Sequence, residues 1–289
     1  MKLARYDQPG AEKPAMVDKD GKLRDLSGII ADFTADQLSD EGLAKLRKID
    51  PASLPLVPGN PRLGVPVAFV SKYVAIGINF TDHAEEAKMR LPKEPIVFMK
   101  AVSCLCGPND DIILPLDSKK SDWEIELGIV IGKTAQYVSE EDALNYVAGY
   151  CTTNDLSERE FQIERGTQWD KGKGCDTFGP IGPWLVTRDE VPNPQKLAMY
   201  LDVNGQRMQS GNTDKMIFSC AKLVSYLSHF MTLLPGDVIC TGTPPGVGMA
   251  KNPQTFLKPG DVVVAGIEGL GEQKQIVKAN PRQKENIWG

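Results

Sequence analysis

From residue 71 onward, short apolar segments alternate with Gly, Pro and Asp, and this pattern limits the fold more than any other feature of the sequence. The segments are rich in β-branched and aromatic residues, which favour strands. They read KYVAIGI, PIVFMK, DWEIELGIVIG, YVAGYCTT, GPWLV, DVIC and DVVVAGI. Helices are predicted at few places: after Ser139, in the segment that follows Asp155, and over 219–231, where apolar residues recur at helical spacing. The sequence therefore predicts a β-rich α+β fold.

The first 66 residues have a different pattern and are predicted to form a small α+β region. The segment KLARY and residues 15–17 favour short strands, and Thr34 and Gln37 have the spacing of a helix capping box. Residues 51–66 are dense in Pro and Gly; proline removes amide donors, which indicates a linker. We therefore expect an N-terminal region over 1–66 and a catalytic domain over 67–289.

Composition excludes several classes of protein. The chain has 289 residues and a formal net charge of −5, so it lacks the basic character that nucleic acids and anionic lipids attract. No apolar run approaches ~18 residues, and the N-terminal segment MKLARYDQPG has no apolar core of a signal peptide. The six cysteines form no CxxC pair, and two histidines are too few for a histidine-rich metal centre. We expect a cytoplasmic protein with reduced thiols and a small-molecule partner, without nucleic acid or membrane.

Acidic residues in and after the predicted strands are candidate metal ligands. Alternation along a strand places Glu124 and Glu126 on one face, with Cα atoms about 7 Å apart. Such carboxylates repel each other unless a cation joins them, and a hard divalent ion prefers oxygen ligands. Asp155 follows another strand and can complete the set, or it can cap the next helix. The alternative for the pair is a solvated sheet face near Lys119 and Lys120.

A histidine and a glutamate three residues apart indicate a possible general base. His83 and Glu86 fall on one face of a short predicted helix, where the carboxylate fixes the imidazole tautomer and raises its basicity. The alternative is an ordinary ion pair on the surface. His229 lies off the apolar face of its predicted helix, and we interpret it as structural or solvated.

Residues 241–248, read TGTPPGVG, follow a predicted strand and are called the amide loop below. Consecutive amides in such a turn can form a nest that binds a carboxylate or an oxyanion, although a plain turn is the alternative. The loop has neither the GK[ST] ending of a phosphate-binding P-loop nor the GxGxxG pattern of a dinucleotide site. Lys173 precedes another Gly- and Pro-rich turn, where it is either functional or simply exposed.

Together, these motifs resemble the fumarylacetoacetate hydrolase superfamily over roughly residues 70–270. The resemblance is carried, in order, by GINFTDHAEE, PIVFMK, DWEIELGIVIGK, NDLSEREFQ, QWDKGKGCDTFGPIGPW and PGDVICTGTPPGVG. The EKP and RDLS segments of the N-terminal region are most similar to 2,4-diketo-3-deoxy-L-fuconate or rhamnonate hydrolases, whose relatives are often labelled ureidoglycolate lyases. The resemblance implies a mixed β-roll or sandwich, and a homodimer.

The resemblance also implies roles for particular residues. Mg²⁺ or Mn²⁺ would bind to Glu124, Glu126 and Asp155. His83 and Glu86 would activate water on a segment that orders over substrate, and Lys173 would lie beside the metal. Phe80 stands where many relatives have Tyr, so a packing role is expected there. The residues expected to contact substrate are Arg159, Gln162, Thr243, Gly242 and Lys100.

The predicted activity is metal-dependent hydrolysis of a C–C bond in a 2,4-dioxo acid of the acylpyruvate type, such as a 2,4-diketo-3-deoxy sugar acid. Water activated by the His-Glu pair would add to the distal carbonyl, and pyruvate would leave as an enolate that the metal stabilises. The alternatives are decarboxylation of a β-oxo acid such as oxaloacetate and ureidoglycolate cleavage. A cation-dependent module that binds sugar acids without reacting is the alternative outside enzymes.

Overall fold

The computed structural model describes residues 1–86, 90–284 and 287. Its strands are numbered in chain order and have the following bounds: β1 Lys2–Tyr6, β2 Lys13–Val17, β3 Leu23–Asp25, β4 Tyr73–Gly77, β5 Ile96–Lys100, β6 Leu105–Cys106, β7 Ile112–Ile113, β8 Ser121–Asp122, β9 Ile125–Ile131, β10 Val147–Asn154, β11 Ser157–Glu158, β12 Gly179–Pro180, β13 Leu185–Thr187, β14 Ala198–Val203, β15 Gln206–Asn212, β16 Val238–Cys240, β17 Val262–Ile267 and β18 Gly271–Lys278.

Helices are short and lie between the strands. The α-helices are α1 Ala35–Leu38, α2 Asp40–Leu46, α3 Thr81–Glu86, α4 Asp170–Lys173 and α5 Cys220–Ser228. A π-helical turn spans Glu160–Glu164, and 3₁₀ turns span Pro51–Ser53, Val102–Cys104, Ala143–Tyr146, Arg188–Glu190, Thr213–Lys215 and Gly248–Ala250. Within the described ranges, none of these helices has the length and apolar character that crossing a bilayer requires.

Two larger sheets form the framework, which confirms the predicted β-rich α+β fold. One sheet has nine strands in the order β3-β2-β1-β13-β10-β9-β16-β4-β5, and the other has five in the order β15-β14-β17-β18-β7. Strands β14, β17 and β18 lie against β9 and β10. Every residue of β9 and β10 is buried, because the second sheet and the loops cover these central strands on both faces.

The N-terminal residues extend the larger sheet. β1 pairs antiparallel with β13 and β2, so β1–β3 lie at one side of the sheet that also contains the later strands. The capping box at Thr34 and Gln37 is present at the start of α1, as predicted. Residues 1–66 thus share a sheet with the predicted catalytic domain, and the division at residue 66 stays a prediction.

The structure corrects the predicted helices. After Ser139 the chain forms only a 3₁₀ turn, because the Ser139 hydroxyl accepts from the amide of Asp142 and closes a single turn. The segment after Asp155 forms β11 and the π-helical turn instead of an α-helix. The helix expected over 219–231 begins after Ser219 but ends at Ser228, which leaves Phe230 66% exposed.

Candidate active site

The acidic residues meet because of the register between the two central strands. β9 begins where β10 ends, with Ile125 opposite Asn154 in the antiparallel pair. Glu124 precedes the strand instead of lying in it, because its amide donates to the Asn154 side chain (2.9 Å), while its carbonyl accepts from the Asp155 amide (2.8 Å). This local link, which strand alternation alone did not predict, holds the two acidic segments together.

The carboxylates of Glu124, Glu126 and Asp155 form one buried group. Each offers an oxygen within 4.8 Å of the oxygens of the other two. Burial raises the pKa of Glu126 well above its usual range, and the charges of Asp155 and Glu124 raise it further. Burial also opposes ionisation of Glu124, but Lys173 and Arg159 outweigh it and lower the pKa of Glu124 to about 2.

Buried cations surround this acidic group. The Nζ of Lys173 lies 2.7 Å from both Glu124 Oε2 and Asp155 Oδ2. An Arg159 Nη lies 2.7 Å from Glu124 Oε1, and Lys100 Nζ donates to Asp155 Oδ1 at 2.6 Å. Each of these three cations therefore neutralises one or two of the acidic side chains.

The donor set fits a divalent cation. Among the ion pairs of residues 1–86, 90–284 and 287, none involves Glu126, whose carboxylate accepts from the Gly242 amide at 2.7 Å. A carboxylate that is buried, repelled by two others and without a cation partner favours protonation or an added positive charge. Three convergent carboxylates offer the oxygen ligands that hard divalent ions prefer. These three side chains therefore fit a divalent cation, and their role as metal ligands stays a prediction.

The predicted His-Glu pair is formed on α3. His83 Nδ1 lies 3.1 Å from Glu86 Oε2, and both side chains are partly buried. The Gly246 amide holds the same carboxylate at 3.0 and 3.2 Å from its two oxygens. Glu86 is therefore bound on two sides, by the imidazole and by the amide loop. His83 is also close enough to Glu124 to help lower the pKa of that carboxyl.

The amide loop binds carboxylates of this chain. The amide of Gly242 donates to Glu126, that of Gly246 to Glu86, and that of Gly248 to Asp122 at 2.7 Å. The nest predicted from the sequence exists as an anion-binding element, but its anions are these side chains. The amide of Gly242 is bound to Glu126, so the expected contact of Gly242 with substrate stays a prediction.

A cavity of about 430 Å³ joins the two groups. The predicted site residues that line it are His83, Glu86, Glu124, Glu126, Arg159, Gln162, Lys173 and Thr243. The rest of the described lining is mainly apolar, with Phe98 and Trp169 packed edge to face at 5.5 Å between ring centres. Predicted site residues that are up to 160 residues apart in sequence therefore line the same cavity.

Three of the predicted site residues are not among the described residues that line the cavity, namely Lys100, Gly242 and Asp155. Lys100 is fully buried behind Asp155, and its ammonium also donates to the carbonyls of Leu156 (3.2 Å) and Lys173. In this structure Lys100 supports Asp155, and its expected contact with substrate stays a prediction. Phe80 is buried in the core, which agrees with a packing role.

Sequence reasoning missed two buried residues that shape the site. Asp122 accepts from Arg159 Nε at 2.9 Å and from the amides of Gly248 and Met249 at 2.7 and 3.0 Å. Its position at the start of the DWEIE segment was the available signal. Gln209 contacts both β9 and the amide loop, and no local pattern around it indicated this.

Fold and site together define a two-sheet protein with a buried three-carboxylate centre beside a His-Glu pair. The model of the fumarylacetoacetate hydrolase C-terminal family matches residues 72–278, and the chain belongs to the fumarylacetoacetate hydrolase superfamily. The resemblance inferred from the motifs is thereby confirmed at the level of the superfamily.

Similar proteins carry hydrolase and isomerase names. A Burkholderia multivorans protein, named provisionally as a hydrolase, is 61% identical over 280 residues, covering 96% of this chain and 99% of its own. Maleylpyruvate hydrolase from Sphingobium sp. SYK-6, solved with manganese(II) and pyruvate, is 30% identical with a TM-score of 0.81, covering 96% and 99%. The 5-carboxymethyl-2-hydroxymuconate delta-isomerase of Mycobacterium smegmatis is 33% identical with a TM-score of 0.77, again covering 96% and 99%.

Proposed function

We propose that the protein is a divalent-cation-dependent hydrolase that cleaves a C–C bond in a 2,4-dioxo acid of the acylpyruvate type, giving pyruvate and a carboxylic acid. The observation that carries this proposal is that the His83–Glu86 pair lines one cavity with Glu124 and Glu126, two of the three convergent carboxylates. The manganese and pyruvate in the solved maleylpyruvate hydrolase support the same chemistry.

Glu124, Glu126 and Asp155 would hold Mg²⁺ or Mn²⁺, both of which accept carboxylate oxygens. When bound, such an ion supplies Lewis-acid stabilisation of the negative charge that develops on the oxo acid.

His83 and Glu86 supply the base. With Nδ1 donating to Glu86, the imidazole presents Nε2 as the acceptor that removes a proton from water. Water adds to the C4 carbonyl as His83 takes one of its protons. The C3–C4 bond then breaks with its electron pair going to C3, and the pyruvate enolate takes up the proton from the His83 imidazolium at C3 as the carboxylic acid forms at C4. Glu86 stabilises the protonated imidazole, and the Gly246 amide keeps that carboxylate in place.

Lys173, Arg159 and Gln162 would orient the substrate. Two of the three Lys173 donors go to carboxylates, and the third is available for a substrate oxygen. Gln162 Oε1 accepts from Arg159 Nη1 at 3.0 Å, which leaves the Gln162 NH₂ group to donate into the cavity. The Thr243 hydroxyl donates to Ile125 O at 2.9 Å, so it would contact the substrate as an acceptor.

The test is pyruvate release from acylpyruvates with Mg²⁺ present, comparing His83→Ala with His229→Ala. Loss of a general base lowers kcat by about 10²–10⁴-fold. We expect this for His83→Ala with cation binding retained, and unchanged turnover for His229→Ala, whose ring is exposed and binds Ser225 O. Hydrolysis by His83→Ala at the rate of the parent protein would contradict the proposal.

The same screen separates the alternative activities. Decarboxylation of oxaloacetate requires no activated water, so it would survive His83→Ala, whereas ureidoglycolate cleavage would release glyoxylate. Adding 2,4-diketo-3-deoxy sugar acids tests the finer prediction drawn from the N-terminal region. Cation-dependent binding of these acids without any product would favour the binding module.

A further inference from the structure

Gln209 links the second sheet to the ligand-bearing end of β9. It lies in β15 and is 1% exposed. Its Oε1 accepts from the amide of Ile125 at 2.9 Å, and its Nε2 donates to Thr243 Oγ1 and to Pro244 O, both at 2.8 Å. The side-chain oxygen therefore binds β9, and the side-chain nitrogen binds the amide loop.

These contacts close a ring around Ile125. Thr243 Oγ1, which accepts from Gln209, donates in turn to Ile125 O at 2.9 Å. Both backbone groups of Ile125 are therefore fixed through one glutamine and one threonine. Because Ile125 separates Glu124 from Glu126, the ring sets the direction from which both carboxylates leave the backbone.

The amide loop packs tightly against the same strand. A Cβ on Gly211 would lie 2.4 Å from Pro244 Cβ, and a Cβ on Gly246 would lie 2.0 Å from Met208 O. The loop therefore contacts β15 on both sides of Gln209 in sequence. Its amides hold Glu126 and Glu86, so a shift of the loop would move both groups of the site.

We propose that Gln209 is a positioning residue that fixes the distance between residues 124–126 and the amide loop, and so preorganises the cation centre. It acts through Ile125 and Thr243, since it is not among the described residues that line the cavity. This inference rests on the proposed function, because it requires that the three carboxylates bind a divalent cation. Partners that orient metal ligands typically contribute 10–100-fold in affinity or activity.

The experiment measures Mn²⁺ binding by calorimetry, with kcat, KM and Tm, for Gln209→Met and Gln209→Glu. The first variant removes every hydrogen bond at similar volume; the second keeps the acceptor for Ile125 and removes both donors. The matched control is Gln275→Met, a buried glutamine of β18 in the same sheet, which donates to Gln273 Oε1 at 3.1 Å. We expect Mn²⁺ affinity and kcat to fall 10–100-fold for both Gln209 variants, while the control lowers only Tm.

Coupling to Thr243 provides a second measurement. If Gln209 acts through this threonine, the double variant Gln209→Met, Thr243→Val loses less affinity than the product of the two single losses. Full Mn²⁺ affinity and kcat in Gln209→Glu, or Tm losses alone as in the control, would overturn the positioning role while leaving the proposed function intact. A parent protein that binds no Mn²⁺ would overturn both.

Discussion

Replacing Glu126 by glutamine tests the electrostatics of the acidic group directly. Burial, then repulsion by Asp155 and Glu124, raises the pKa of Glu126 above its ordinary value of 4.5 in the folded protein. As the pH rises above 4.5, the unfolded chain releases this proton while the folded protein keeps it. The free energy of unfolding therefore falls with pH until the folded pKa is reached.

The size of this effect follows from linkage. One whole proton corresponds to about 1.4 kcal/mol per pH unit. Because the folded protein keeps the Glu126 proton, the free energy of unfolding of the cation-free protein falls by at most this amount for each pH unit above 4.5 over which Glu126 stays protonated. Glu124 does not contribute in this window, because its pKa is lowered to about 2 and its stabilisation is lost only as the pH falls toward that value. Glu126→Gln keeps the shape of the side chain and removes the titration.

The assay is urea unfolding at pH 5, 6 and 7 in a chelator, repeated with Mn²⁺. We expect Glu126→Gln to equal or exceed the parent in stability at pH 7 without metal. At 100 times its Kd, Mn²⁺ should stabilise the parent by about 2.7 kcal/mol and leave Glu126→Gln nearly unchanged. Glu141→Gln, at an exposed position, is the control. An unchanged pH slope in Glu126→Gln, or equal stabilisation of both proteins by Mn²⁺, would refute the reasoning.

Two further substitutions probe the framework of the site. Lys173→Met removes the ammonium group that lies 2.7 Å from both Glu124 and Asp155. In unfolding experiments the free energy of unfolding should fall by about 3–5 kcal/mol. A value equal to that of the parent protein would argue against a close pairing in solution. Gly246→Ala places a Cβ 2.0 Å from Met208 O at a φ of +109°. It should lower both Tm and turnover, whereas Gly260→Ala, with a φ of +95° and open space, should lower Tm only; equal turnover losses would show that the close contact is unimportant.

The strands could be predicted because their signal is local. β4, β5 and β10 coincide with apolar segments bounded by Gly, Pro or polar residues, and β4 and β10 are almost wholly buried. In β5, however, the apolar Val97 is exposed and the charged Lys100 is buried. Helix ends were harder to predict. Phe230 continues the apolar spacing of α5, yet the helix ends two residues earlier and the ring lies in solvent. Periodicity counts apolar residues but does not indicate which of them the rest of the chain covers.

Residue types identified part of the site. Glu124 and Glu126 were recognised as possible ligands because two carboxylates on one face of a strand repel each other unless a cation joins them, and Asp155 because it follows another strand. The oxygens of all three lie within 4.8 Å of one another. The contacts of Gln209 with Ile125 span 84 residues and join different sheets. No local pattern encodes such a contact, since it depends on how the two sheets pack.

The amide loop binds carboxylates through its backbone amides, so the side chains in and next to the loop are not needed for these contacts. Met249 donates its amide to Asp122 at 3.0 Å, and both Met249 and Val247 line the cavity. Substitutions at these two positions can reshape the cavity, whereas Gly242 and Gly246 are restricted by their positive φ angles. Substrate preference can thus change during evolution while the backbone contacts of the amide loop are kept. Saturation mutagenesis of positions 247 and 249 is therefore a direct way to alter that preference.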